Sequence, residues 1–525
     1  MEFAASIINV PFNSFTENLL FFIFIFPFIS LLFVWARSSF WNNSKIYNFA
    51  LLSTVISFIC SILLWSQLAA REGGFQSTWH EILFPSFSQK FRFGVDGISL
   101  FFILLTNLFI FLCILSLNAG TPRLIEAILH LLFLQWSVLA SFRVLDLLGF
   151  FLFFERTLVP IYFLVLLWGS RERRVRASYR ISMYTLLGSI FRFFNILYMY
   201  SKTGTTDYEL LLQRSFNETD QRFLWLTFFF AFAAKIPLFP VHIWLPEAHV
   251  EAPTIGSVLL AALLLKIGTY GLIRFSLPLF PQGTTYFSPL VSTFALLGVL
   301  YTCFTAIRQI DLKKIIAYSS VGHRNVVLLG IRANTSEALQ GAIFQRLSHG
   351  IVSGALFFAV GSLYERYSVR SLKYFGGLAH FYPLFTRVFL LFSLANISFP
   401  LTSSFVGEFL IFLGLFREHF WATFFAAFSR VLGAVYTLWT FNRMFFGNMR
   451  IFSVTAYYDL TRKEIFLFSF LIVALFLRGL RPSLFLNSFL VDTLNILEHA
   501  KLGLFILIFF LVKFVKCKKQ FLFIR

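Results

Sequence analysis

Six ionisable residues stand where an apolar chain has least use for them. Glu155 lies in FFLFFERTLVP, Lys235 closes a run of aromatic residues, and Lys266 falls near the middle of another apolar run. His323 follows in YSSVGHRN, His349 in QRLSHGIVSGALFF and Glu408 in PLTSSFVGEFL. A charged side chain at mid-membrane costs about 2.5–3.5 kcal/mol on insertion scales, so such residues mark an ion pathway or a paired site. A carboxylate in an apolar run must be protonated or paired, and a buried lysine is its natural partner. A lysine stripped of water releases its proton more readily, and a nearby carboxylate restores its hold. Moving that carboxylate away expels the proton, which is a pump stroke in physical terms. Histidine titrates near neutral pH and can pass protons along a water chain. The six residues have the chemistry of a proton relay.

Each residue also has a static alternative. Glu155 could hold two helices together as a fixed ion pair. Lys235 could snorkel, because Pro237 and Pro240 break its helix close by. That alternative is poor for Lys266, which has about a dozen apolar or small residues on its N-terminal side. His323 and His349 could each bond a backbone carbonyl, although both sit among small polar residues that could line water. A second polar group, His242, Glu247, His249 and Glu251, occupies a proline-rich turn, but its spacing fits no tight metal-ligand set. No metal site is expected there.

The elements that must carry these residues are membrane helices. Of 525 residues, 58% are hydrophobic and only 13% charged, with a mean hydropathy of +0.78, against about 25% charged in soluble domains. Apolar runs long enough to cross a bilayer recur along the whole length. The stretch from Met1 to Asn18 lacks the basic start and short apolar core of a cleavable signal, so none is expected. Four scattered cysteines, Cys60, Cys113, Cys303 and Cys517, have no CxxC spacing and argue against an iron–sulfur cluster or a disulfide framework. No glycine-rich dinucleotide or P-loop signature is present. The net charge of +20 reads as positive-inside topology rather than nucleic-acid binding.

The pattern predicts an all-α polytopic membrane protein with about fourteen spans. The seventh, at 222–241, and the twelfth, at 384–416, contain proline or glycine breaks. Loops RERRVR (171–176), RQIDLKK (308–314) and YERYSVRSLK (364–373) carry the excess of Lys and Arg and should face the cytoplasm or mitochondrial matrix. Pro237 and Pro400, and likewise Glu155 and His323, are separated by about 165 residues, which suggests a repeated five-helix unit. An odd number of spans inverts the second copy. The expected organisation is helices 1–3 over 1–120, a first repeat over 121–285, a second over 286–450, and a final helix with a basic tail over 451–525. Leu502 to Val515 is too short for a span and reads as an interfacial or partner-binding helix.

KIPLFPVHIWLPEAHVEAPTIGSVLLAALLLKIGTYG, beginning at Lys235, closely resembles the signature of the antiporter-like membrane subunits of respiratory complex I. GVDGISLFF (94–102), RQIDLKKIIAYSSVGH (308–323), LSHG (347–350) and SSFVGEFL (403–410) extend the match over roughly 90 to 500. Glu408, where sister subunits have lysine, points to one branch of that family. The resemblance implies fourteen helices, two inverted five-helix repeats, broken helices 7 and 12, and a central hydrophilic axis. It implies that Glu155 pairs with Lys235, Lys266 bridges two half-channels, His323 and His349 relay, and Glu408 faces the exit. It further implies no cofactor in this chain, with NADH, FMN, iron–sulfur clusters and ubiquinone held by other subunits. The implied partners are other complex I membrane-arm subunits, especially neighbouring antiporter-like ones, and membrane lipids, in the mitochondrial inner membrane. A subunit of a multisubunit bacterial cation/proton antiporter, which shares the same core, is the alternative.

Departures from the pattern are informative. Arg143, Arg192, Arg324, Arg346 and Arg430 lie in or beside apolar spans, where the family usually has an apolar residue, often methionine. The chain holds only five methionines. A reassigned codon or RNA editing would account for both facts. Arg156, beside Glu155, is a further departure that could compete with Lys235 for the carboxylate.

Overall fold

A computed structural model describes residues 12–68, 74–84, 89–118, 120–448 and 459–500. The helices run in chain order as α1 (Phe12–Arg37), α2 (Asn43–Gln67), α3 (Gly97–Ser116), α4 (Leu124–Ser141), α5 (Leu147–Trp168) and α6 (Arg174–Thr203). They continue as α7 (Glu218–Lys235), α8 (Trp244–Glu251), α9 (Thr254–Leu279), α10 (Ser288–Arg308), α11 (Leu312–Arg332) and α12 (Ser336–Tyr367). The last are α13 (Pro383–Ile397), α14 (Ser403–Glu418), α15 (Phe420–Phe445), α16 (Arg462–Leu480) and α17 (Ser483–Ala500).

Ten helices among the described residues are long and apolar enough to span a membrane, and α16 with α17 forms a further candidate bent by 68°. Helices also stand at the remaining expected positions, in α7, α11 and the α13–α14 pair. Those carry too many polar residues, or a break, to count by apolarity alone. Two features depart from the sequence reading. An antiparallel hairpin, β1 (Ser77–Phe84) with β2 (Gln89–Val95), interrupts the all-helical pattern between α2 and α3. α17 is a second helix where only a tail was expected. The stretch from Leu502 to Val515 lies outside the described residues.

Among the apolar spans, three helices are enclosed on all sides. Of the most apolar window, 94% is buried in α3 and 89% in α9 and α12, against 28–44% in α1, α2, α5, α6, α10 and α15. The outer helices turn leucine, phenylalanine and valine outward, as a lipid-facing wall must. Asp96 starts α3: its side chain accepts from the backbone N–H of Ser99, which completes a capping box. The same carboxylate binds Arg274 of α9, so a single residue caps one enclosed helix and ties it to another.

The expected breaks are both present. α7 ends at Lys235, and its Ala234 carbonyl accepts from the indole N–H of Trp244 at 3.1 Å. α13 ends at Ser398, which adopts a left-handed φ of 67°, and its Ala395 carbonyl accepts from the Ser404 hydroxyl. Each break therefore brings a side-chain donor to one of its last carbonyls, that of Ala395 being shared with the Ser398 backbone N–H.

Close packing of α12 against α14 depends on two glycines. A Cβ on Gly341 would stand 2.8 Å from the Gly407 carbonyl, and one on Gly407 would stand 2.8 Å from the Gln345 backbone. Replacing Gly341 by valine should force the two helices apart, costing about 1–3 kcal/mol. A lowered melting temperature of the assembled protein checks this; an unchanged one would refute the packing argument.

Candidate proton-relay site

The six residues separate into two groups. In the first, Glu155 of α5 faces the C-terminal end of α7. Lys235 is the last residue of that helix, where the backbone dipole favours a cation. Its Nζ lies 3.9 Å from Glu155 Oε1, 3.4 Å from the Phe154 carbonyl, and 3.6 Å from the centre of the Phe154 ring. Gly268 lets α9 pack closely against this end of α7, since a Cβ there would stand 3.0 Å from Ile236 Cγ1.

The carboxylate is shared. Arg192 of α6 donates to Glu155 Oε1 at 2.8 Å, so the arginine and not the lysine makes the short contact. The competitor expected from the sequence was Arg156. That guanidinium instead lies over Trp136, 4.9 Å from the ring centre, because it leaves α5 on the side facing α4.

The second group lies among α9, α11, α12, α13, α14 and α15. Lys266 is fully buried in α9, between two π-helical turns at Leu260–Leu264 and Leu272–Ser276. A widened turn releases carbonyls from the regular ladder, and Lys266 Nζ donates to one of them, that of Ala261. The same nitrogen is 3.4 Å from His349 Nδ1 on α12. The rings of His349 and His323 are 5.4 Å apart. His323 Nδ1 is 2.8 Å from Glu408 Oε1, which also accepts from Gln345 at 2.9 Å and Arg430 at 2.8 Å.

The surroundings of His323 offer a partner to either ring proton. With the proton on Nδ1, the ring donates to Glu408. With the proton on Nε2, it donates to Asn396 Oδ1 at 3.2 Å, and Nδ1 is then free to accept from Arg430 Nη1 at 2.8 Å. An imidazole held this way can take a proton on one face and lose one from the other. Asn396, in the last turn of α13, was not singled out by its sequence; only its place two residues before the left-handed Ser398 marks it as polar lining at the break.

No hydrogen bond between described side chains joins Lys235 to Lys266. Another enclosed lysine was missed in the sequence reading: Lys313 of α11 donates to the Ala252 carbonyl at 2.8 Å and lies 3.5 Å from Ser257 Oγ. Its place in RQIDLKK, at a helix start, made it look like an interfacial charge. The turn residues do not converge. Glu247 pairs with Arg180, His249 stacks 4.5 Å from Phe357, and His242 packs against Tyr301. No group of three or more potential metal ligands forms among the described residues.

Comparison with known proteins places this arrangement. Residues 144–433 match the family model described as NADH:quinone oxidoreductase/Mrp antiporter, TM. NADH-ubiquinone oxidoreductase chain 4 of Chondrus crispus is 45% identical over 452 residues, covering 86% of this chain and 92% of that one. The chain 4 protein of Arabidopsis thaliana is 44% identical, covering 87% and 94%. This chain belongs to the NADH-ubiquinone oxidoreductase chain 4 family. A chain in the structure of respiratory complex I from Thermus thermophilus with bound NADH superposes with a TM-score of 0.82 at 29% identity, over 92% of this chain and 99% of that one. A chain of the archaeal membrane-bound sulfane sulfur reductase superposes equally well at 23% identity, a likeness of fold.

The Glu408–Arg430 contact gives a direct test. Glu408→Gln removes the only carboxylate bonded to Arg430 among the described residues and leaves a partly buried cation without a counter-charge. A loss of about 3–5 kcal/mol in stability is expected. Thermal unfolding of the purified assembly measures it, and an undiminished transition would show that the charge is compensated elsewhere.

Proposed function

We propose that this chain is a core membrane subunit of proton-pumping NADH:ubiquinone oxidoreductase and moves protons through the line of ionisable groups from Glu155 to Glu408. The family membership supports the first part, and with it a multi-pass place in the mitochondrial inner membrane within a multisubunit respiratory complex. The observation that carries the second is the run Lys266, His349, His323, Glu408, in which neighbouring groups stand within hydrogen-bond or ring-contact distance through the interior.

In this reading Glu155 holds the Lys235 proton while the two are paired. Withdrawal of the carboxylate releases it toward Lys266. His349 and His323 pass protons on, with reorientation or a water bridging the two rings, and Glu408 receives them at the second break. The two halves would correspond to the 121–285 and 286–450 repeats. The drive comes from elsewhere: redox chemistry on other subunits reaches this chain as a shift of charge or helix position. No flavin, iron–sulfur cluster, nicotinamide or quinone is assigned to this chain. Neighbouring antiporter-like subunits are its expected contacts on the lipid-facing wall. The bacterial cation/proton antiporter alternative shares the family model but not the chain 4 relatives.

Replacing Lys235 by alanine in the assembled complex tests the relay. Both NADH:ubiquinone turnover and proton pumping should fall by tenfold or more, about 1.4 kcal/mol or greater in barrier terms, while assembly on native gels is kept. Normal turnover with normal pumping would reduce Lys235 to a structural lysine and end the mechanism.

A further inference from the structure

Four of the largest fully buried side chains in the molecule are arginines: Arg143, Arg192, Arg324 and Arg346, each at most 1% exposed. Each leaves at least two guanidinium nitrogens without a partner among the described residues. Nε and Nη2 are unmatched in Arg143, Nε and Nη1 in Arg192 and Arg346, and all three nitrogens in Arg324. The bonds that do form are mostly to neutral groups. Arg143 donates to the Leu20 carbonyl at 3.0 Å, and Arg346 to the Thr269 hydroxyl and the Leu265 carbonyl. Arg192 alone of the four meets a carboxylate.

Two arginines of the same interior that have a carboxylate partner behave differently. Arg274 binds Asp96, and Arg430 binds Glu408, His323 and Ser429, with no nitrogen of Arg430 left over. Arginine cannot escape burial by giving up its proton, so an unmatched guanidinium in a membrane interior has no inexpensive state. Positions 143, 324 and 346 therefore offer the charged head no counter-charge, and position 192 offers a single carboxylate oxygen that Lys235 also approaches, while all four accept the long, unbranched stem. Around position 192 the head lies among four aromatic rings, with Phe154, Phe151, Phe150 and Phe232 centred 3.9, 5.1, 5.5 and 5.8 Å from it. That is a setting for a thioether, which packs favourably about 5 Å from aromatic rings and fills irregular gaps. Methionine is also scarce in this apolar chain, with five in 525 residues.

We propose that positions 143, 192, 324 and 346 are recoded sites that carry methionine in the mature protein, through a reassigned arginine codon or an edited transcript. The consequence for the interior is specific. With methionine at 192, Lys235 is the remaining cation beside Glu155. With methionine at 324 and 346, two permanent positive charges leave the interior that holds Lys266 and His349.

The test is the mass spectrum of the chain itself, purified in its complex and digested separately with trypsin and chymotrypsin. Trypsin should leave the bonds after 143, 192, 324 and 346 intact. Fragment masses should place methionine at each position, with the added oxygen of a sulfoxide after peroxide treatment. Arg274 and Arg430 should read as arginine in the same digest. Tryptic cleavage after the four positions, with arginine masses there, would overturn the proposal. Comparing cDNA with genomic sequence separates the two routes: altered codons in the transcript mean editing, and unaltered ones mean the codon is read as methionine.

Discussion

A charge in lipid has no partner, and the architecture of this chain follows from keeping its ionisable groups away from lipid. α9 and α12 carry Lys266 and His349, and both are walled in by other helices. α3, the most enclosed of the apolar spans, carries no Asp, Glu, Lys, Arg or His within its span and serves as packing. Asp96 at its start bonds Arg274, so the charge nearest that helix is matched at its edge and caps the helix as well. Apolar side chains are left to the outer helices, where only dispersion against lipid is asked of them.

The two breaks extend the same logic to the backbone. A helix end at membrane depth exposes carbonyls, and each break here brings a side-chain donor to one of its last carbonyls, Trp244 at one and Ser404 at the other. A broken helix also gives a polar terminus inside the protein. Lys235 occupies the negative end of α7, and Asn396 sits at the end of α13 within reach of His323. The two halves reach a similar arrangement with different residues: a carboxylate beside a lysine in one, a carboxylate beside a histidine in the other. The widened turns of α9 do a smaller version of this work around Lys266, supplying a carbonyl where an unbroken ladder has none to spare.

Competition for a shared acceptor is concentrated at Glu408. Its Oε1 is approached by His323, Gln345 and Arg430. A carboxylate with several donors can release one without becoming unmatched. His323 has the complementary property, because each of its ring nitrogens has a group suited to one of its two protonation patterns.

The sequence by itself determined the class, the approximate spans, the two breaks and the six ionisable positions. These follow from local chemistry: apolar length, proline, and the high cost of a charge in an apolar run. It also marked the buried arginines as out of place. What only the tertiary structure decided was pairing. Whether Arg156 or Arg192 reaches Glu155 depends on which way each leaves its helix, and residues 37 apart in sequence meet only through the packing of α5 against α6. Asn396 and Lys313 look ordinary in the chain and become part of the interior only once α13 and α11 are docked. The β hairpin and α17 were illegible for a related reason: neither by itself has the long apolar signature of a span.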